Sequence, residues 1–460
     1  MYVATGVGES HPHLFPLLRN LVCLSGCLSG KKIFAFFAAV GYNFQLTENT
    51  LKGVSRTLNY SDYTEVRDLL LSRVSPVGTE RDTLLGCAGR ILAQEVRAEV
   101  DVPAFDRSPY DGYAFRASDT DGAAKDAPVT LHILEEVAAG STPTMEVTPG
   151  TATKILTGAP IPPGADAVIN YEVTEFTAET VKLFAPVKPG SNIVYAGEDV
   201  KKGTLLAKVG QVIDAGTAGT LAAQGIARPL VYRRPRVAIL STGSELVEAD
   251  EPTAPGIIRN SNAYTIAAAL RLLGIEPVYL GIARDTVEGI AELFDRGAAE
   301  CDAVISTGGV SVGDYDLSPA ALDRIGAEML ARGVNLKPGK ACAYAMKNGR
   351  LICALSGNPA SCITNLNTVA LPALKKLSGR CDVLPQELEM TLLDAFPKKS
   401  AEPRVLRGTV MLRGSRVELA LAPSQGNVAL SSTIGCDALA IVPAGSGALK
   451  PGDVLKGYML

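Results

Sequence analysis

The feature that most constrains this chain is a strand–loop–helix rhythm that starts near residue 236 and runs to about residue 377. Apolar runs at 237–241, 277–282, 303–306 and Arg350–Leu355 read as strands, and 263–273, 287–298, 319–325 and 359–377 read as helices. Strands alternating with helices at this spacing argue for a parallel, doubly wound sheet, because each parallel return needs a crossover long enough to hold a helix. The flanking segments read differently. Residues 63–74 and 80–91 are expected as helices and 99–102 as extended. Short β-like runs follow at Val129–Val137, 152–157, 167–173 and 181–185, and 229–235 reads as a linker. Beyond about residue 384, β-type runs return at 409–412, 417–421 and 438–443.

A chain of 460 residues suggests about three domains. The expected organisation is an atypical extension over 1–53, a split helical and β domain over 61–127 and 200–234, and a β-rich module over 128–199. An α/β domain over 235–380 and an all-β domain over 381–460 complete it. The fold class is multidomain α/β plus β. Residues 1–53 carry an apolar run broken by Lys31 and Lys32, too short on either side for the roughly 20 residues of a membrane helix. They read as a misassigned start, with a genuine appendage or a targeting signal as the alternatives, and as dispensable.

Composition removes several function classes. Hydrophobic residues at 47% and charged residues at 20% describe a globular chain with real cores. A net charge of −4 offers no electrostatic footprint for nucleic acid, and any anionic ligand must be held by local Lys and Arg. Nine cysteines without a C-x-x-C pair read as reduced thiols of a cytoplasmic protein. With three histidines, two of them His11 and His13 in the extension, Ser-His-Asp hydrolysis and histidine-rich zinc sites are poor readings. His132 reads as structural or surface.

The chemistry gathers after the strands of the α/β unit, where open parallel sheets bind ligands. The first strand runs into Thr242-Gly243-Ser244-Glu245-Leu246, the second into Ala283-Arg284-Asp285, the third into Thr307-Gly308-Gly309-Val310-Ser311 and on to Asp314 and Asp316, the last into Ser356-Gly357-Asn358-Pro359. Glycines admit close backbone approach, and Glu245 and Asp285 are carboxylates that can hold a hard cation such as Mg²⁺. Asn358 suits a helix N-cap and Pro359 its first turn, so free N–H groups there would face an anion. Lys337-Pro338-Gly339-Lys340 adds two ammonium groups on a turn. Each piece alone reads as an ordinary turn, helix start or solvated pair; four together on one edge do not. Residues 101–114 and 157–166 are further turn-rich, acid- or hydroxyl-bearing segments, and spacing alone does not place them at the same site.

With DVPAFDRSPYDGYA (101–114), TGAPIPPGAD (157–166), TGSEL (242–246), TGGVSVGDYD (307–316), KPGK (337–340) and SGNPAS (356–361) in this order, the chain resembles the molybdopterin molybdenumtransferase family (MoeA type, and the E domain of gephyrin) from about residue 61 to 460. The resemblance implies an α/β domain shaped like the molybdopterin adenylyltransferases, a C-terminal β-barrel-like domain, and an elongated homodimer with a shared active site. It implies insertion of molybdate into adenylyl-molybdopterin with Mg²⁺-dependent release of AMP. By motif position, Asp111, Thr157 and Asp316 take catalytic roles, and Glu245 and Asp285 hold metal. Gly308, Gly309, Ser311, Lys337, Lys340, Ser356, Gly357 and Asn358 bind substrate. The chain departs from the family pattern at Arg107-Ser108-Pro109-Tyr110, at Ser356, where the family commonly has proline, and after Gly313, where Asp314 and Asp316 remain alternatives. Contact with a molybdopterin adenylyltransferase is a further implied partnership, whereas nucleic acid and membrane are not expected partners. Two rivals stand beside this reading: an adenylyltransferase, which would not need the two N-terminal motifs, and a non-catalytic scaffold, which would not need the acids. Molybdate and tungstate are both tetrahedral dianions, and sequence does not separate them.

Overall fold

A computed structural model of the chain describes residues 60–310 and 317–460. The expectations for residues 1–53, and those for Ser311, Asp314 and Asp316, lie outside the described residues.

The strand–helix rhythm builds a six-stranded sheet in the spatial order Glu276–Ala283, Arg236–Thr242, Ala303–Thr307, Arg350–Leu355, Ala343–Lys347, Glu328–Arg332. The first four are parallel. Strand Arg236–Thr242 shows why helices must cover both faces. Val237 and Ile239 enter one core with Ile266 and Leu270 of helix Asn262–Leu272. Ala238 and Leu240 enter another with Ile290 and Phe294 of helix Val287–Glu300. Full burial of each such side chain is worth about 1.5–3 kcal/mol, so a single-sided sheet would waste half of the pattern. The last two strands are antiparallel and extend the sheet beyond the expected parallel set. Their stretch is interrupted by Gly333, Pro338 and Gly339, and Ala343–Lys347 carries Tyr344 as its one strong β-former, so pairing with Arg350–Leu355 on one side and Glu328–Arg332 on the other makes it a strand.

The helix expected over 359–377 forms, with a π-helical stretch at Leu366–Ala370 between Pro359–Asn365 and Leu371–Leu377. Pro372 cannot donate to the carbonyl four residues back, and its ring crowds that carbonyl, so the regular ladder has to give way just before it.

Ahead of the sheet, two expectations fail. The helix over 80–91 is replaced by strand Thr79–Arg81 and a short 3-10 turn at Leu84–Gly86, and the linker at 229–235 contains strand Leu230–Tyr232. These two strands pair with each other. Buried Arg90 locks the arrangement by donating to Glu80, to Asp82 (2.6 Å) and to the Tyr232 carbonyl (3.0 Å). Pairing between segments so distant in sequence leaves no trace in local periodicity. Further along the chain Val96–Arg97 pairs with Leu205–Ala207, and Val102, in the stretch expected as extended, bridges to Val200.

A second six-stranded sheet runs Ala167–Asn170, Gly112–Phe115, Thr151–Ile155, Val129–Val137, Thr180–Leu183, Thr174–Phe176. His132 is exposed on it. The C-terminal region closes a five-stranded barrel from Glu387–Leu392, Arg416–Leu421, Arg404–Arg413, Ala438–Val442 and Val454–Met459. All seven cysteines among the described residues are free thiols. No helix among the described residues is long and apolar enough to cross a membrane.

Candidate active site

The carboxyl ends of the four parallel strands converge on one cleft of about 640 Å³, within the range of small-molecule sites. Glu245, Asp285, Gly308, Gly309, Ser356, Gly357 and Asn358 all line it. Asp285 stays out of helix capping because the neighbouring Thr286 side chain takes the Gly289 N–H at 3.0 Å. Among the described residues, neither Glu245 nor Asp285 is taken up by an ion pair or a side-chain hydrogen bond. Two carboxylates therefore face the cleft with their acceptor capacity unspent.

The floor is held by side chains that the sequence reading passed over. Asn262 is buried and donates to Gly357 O at 2.8 Å and to Thr307 Oγ1 at 3.2 Å, which ties two strand ends together. Asn260 receives the Ser241 hydroxyl at 3.0 Å and donates to the Tyr279 hydroxyl at 2.9 Å, and that hydroxyl donates to Glu248 at 2.6 Å. Burial and the Glu248 carboxylate both hold the Tyr279 phenol protonated far above its ordinary range. Thr242 is 3% exposed, lines the cleft, and has a hydroxyl without a hydrogen-bond partner among the described residues. That hydroxyl is packed beneath Gly308 and Gly309, so it belongs to the support of the glycine turn. The Asn260-Ser261-Asn262 run just ahead of the helix expected over 263–273 was the available signal for this part.

Gly308 is where backbone meets backbone. Its φ is +98°, and a Cβ there would stand 2.3 Å from the Thr242 carbonyl oxygen. Gly308→Ala is expected to cost at least about 2 kcal/mol, from an unfavourable φ plus displacement of the adjoining strand end. Chemical denaturation should show the loss, with turnover falling alongside because the cleft floor moves.

A second cleft of about 400 Å³ shares Ala341, Ser356 and Asn358 with the first and is lined by Lys337, Lys340 and Arg404. Lys340 is not a free ammonium. It bonds Glu402 at 2.7 Å and lies over the Tyr60 ring at 4.7 Å. With Glu402 also in the wall, three cations face one carboxylate, and the local sign opposes that of the chain. Gln425 and Asn427 come from the loop after strand Arg416–Leu421, and no periodicity marked them. Asn358 occupies the helix N-cap position without a side-chain cap. Its N–H reaches Ser356 Oγ at 3.3 Å, and the Ala360 N–H is used by Asn427 O at 3.1 Å. The expected row of free N–H groups is thus partly spent, and the lysine–arginine wall carries more of the positive potential. Serine at 356 supplies an acceptor to the helix entry that proline could not.

Asp111 and Thr157 meet each other but line neither cleft. The Thr157 N–H and hydroxyl donate to Asp111 Oδ1 at 2.6 and 2.7 Å, and these bonds hold that carboxyl below its ordinary range. The two N-terminal motifs are joined around this pair by Ser108 N to Ala159 O, Gly158 N to Ser108 O and Ile161 N to Asp106 O at 2.8–3.0 Å. Tertiary structure thus unites 101–114 with 157–166, and unites the four strand ends with the Lys337–Lys340 turn, as two separate clusters in one chain.

Residues 61–225 match the family model described as MoeA N-terminal region (domain I and II), and residues 238–376 match that of a probable molybdopterin binding domain. A molybdopterin molybdenumtransferase of Staphylococcus epidermidis is 34% identical over 80% of this chain and 88% of its own length. One of Staphylococcus aureus is 34% identical over 79% and 87%. The solved structure of the molybdopterin biosynthesis MoeA protein of Pyrococcus horikoshii is 30% identical and has a TM-score of 0.75, covering 87% of this chain and 100% of that one.

Proposed function

Because the chain belongs to the molybdopterin molybdenumtransferase family, a family of transferases in molybdenum-cofactor biosynthesis, we propose that it inserts molybdate into adenylyl-molybdopterin with Mg²⁺-dependent release of AMP. The observation that carries this reading is the contiguity of the two clefts: two unspent carboxylates in one, a lysine–arginine wall in the other, with Ser356 and Asn358 shared.

No group of three or more His, Cys, Asp or Glu among the described residues could hold a metal by itself. Mg²⁺ is commonly held by one or two carboxylates with substrate phosphates and water completing its shell. Glu245 and Asp285 fit that arrangement and are the residues that would hold it. Bound there, the ion would offset negative charge on the phosphoanhydride oxygens. The chain's own work is positioning. Gly308, Gly309 and Gly357 let the substrate lie against backbone, and Thr242 supports the glycine turn from beneath. Lys337 and Arg404, with Lys340 held by Glu402, set a positive wall for an oxyanion such as molybdate. Purified protein given adenylyl-molybdopterin, Mg²⁺ and molybdate should release AMP. ATP consumption would indicate an adenylyltransferase, and no reaction a scaffold. Repeating the assay with tungstate measures oxyanion preference.

Asp111 and Thr157 belong to the same reaction if the site is completed by a second copy of the chain. A closed two-fold dimer is the commonest assembly, and the separation of the two clusters within one chain supports a shared site. Mixing inactive Asp111→Asn chains with inactive Asp285→Asn chains should restore about a quarter of wild-type activity. Random pairing makes about half of the dimers mixed, each with one intact site of two. A mixture that stays inactive after confirmed subunit exchange would refute sharing.

A further inference from the structure

Helix Pro359–Asn365 begins at the cleft wall and ends under the Lys337–Lys340 turn. Its last residue, Asn365, is 0% exposed. Asn365 Nδ2 donates to the Gly339 carbonyl at 2.7 Å, while Oδ1 has no hydrogen-bond partner among the described residues. Gly339 has φ +119°, and a Cβ there would stand 2.6 Å from Asn365 Oδ1. The turn therefore sits flush on the amide. The Cys342 thiol is the other polar group against it.

An amide buried with its oxygen unsatisfied is a poor choice for packing, since an apolar side chain of the same shape would avoid the desolvation cost. What the amide supplies is one directed donor. The ends of the turn have other supports. Lys337 N donates to Pro403 O at 2.9 Å, Val405 N donates to Lys337 O at 2.8 Å, and Val334 N donates to Lys340 O at 3.2 Å. Gly339, between the two lysines, rests on Asn365. Ser356 and Asn358, which line both clefts, immediately precede or cap the same helix.

We propose that Asn365 is a positioning residue for oxyanion binding: its side-chain N–H fixes the Lys337–Lys340 turn in register with the helix start, so that the two walls of the second cleft hold a tetrahedral dianion together. This rests on the reading of that cleft as the oxyanion site. Asn365 touches no substrate and acts through the turn.

The test measures the apparent KM for molybdate and kcat by AMP release, together with thermal unfolding, for Asn365→Leu, Asn365→Asp and Lys337→Ala in the full chain. Asn365→Leu keeps the branched heavy-atom skeleton, removes the donor and the orphan oxygen, and should raise KM about tenfold with kcat within about twofold, a tenfold change being about 1.4 kcal/mol of binding. Asn365→Asp provides the second measurement if the leucine variant does not fold. A protonated carboxyl can donate to Gly339 O and an ionised one cannot, so its KM relative to wild type at the same pH should grow between about pH 5.5 and 8 for a buried acid whose pKa is raised. A wild-type KM in Asn365→Leu, with or without lost stability, overturns the proposal while Lys337→Ala still raises KM. So does a KM for Asn365→Asp equal to wild type across that pH range. If Lys337→Ala leaves KM unchanged, the turn does not hold the oxyanion and the underlying reading falls with it.

Discussion

Asp285→Asn and Glu245→Gln should each lower AMP release by at least about 100-fold while leaving the unfolding midpoint near that of wild type. Both substitutions keep shape and remove charge. A metal ion contributes several kcal/mol to stabilising charge in phosphoryl chemistry, and about 3 kcal/mol corresponds to a 100-fold change in rate. The fold should be indifferent, since neither carboxylate is engaged in a side-chain hydrogen bond or ion pair among the described residues. Raising Mg²⁺ should recover part of the lost rate in either variant, because a weakened site fills at higher concentration. Near wild-type turnover in both, at ordinary Mg²⁺, would remove these two residues from the metal site.

The second large effect is expected at the opposite end of the same strands. Asp302 is 4% exposed and lies where three strands begin. Its carboxylate accepts both arms of the Arg233 guanidinium at 2.6 and 2.7 Å, the Arg236 N–H at 2.9 Å and Arg350 at 3.2 Å. Burial works to raise its pKa. The Arg233 fork and the Arg236 N–H, with the charges of Arg233 and Arg350, outweigh that, and the group sits below the usual carboxylate range. Asp302→Ala should cost about 3 kcal/mol, the low end for breaking a buried pair, because Arg233 and Arg350 keep 38% and 41% of their side-chain exposure and are not left stranded. A depressed folded-state pKa places this contribution above the unfolded value of about 4, and it is lost as pH falls below that. The stability gap between wild type and Asp302→Ala in chemical denaturation should therefore be full at pH 7 and close in acid. Folded Asp302→Ala should retain its turnover, since the residue is at the amino ends of the strands and the clefts are at the carboxyl ends. A gap independent of pH would mean that the carboxylate charge contributes nothing.

The contrast between those two residues shows what local sequence determines and what it does not. The alternation of Val237 and Ile239 with Ala238 and Leu240, and the helix periods between strands, dictated a covered parallel sheet on their own, because burial on two faces leaves its mark within each short window. With the sheet comes the edge on which Glu245, Asp285, Gly308 and Ser356 must lie, so the metal and substrate candidates of the first cleft were legible in the sequence itself. Whatever depends on pairing between distant segments was not. The residues over 80–91 have helical spacing, yet Leu230–Tyr232 recruits their start as a strand and Arg90 is buried against Glu80 and Asp82. Arg404, Gln425 and Asn427 reach the second cleft only because a barrel closes beside the sheet, and Asn365 meets Gly339 only because a helix ends beneath a turn. Asp111 and Thr157 lie between these cases. Each was marked by its motif, and the hydrogen bonds that join them depend on a loop folding over a strand end, which no one-dimensional period encodes.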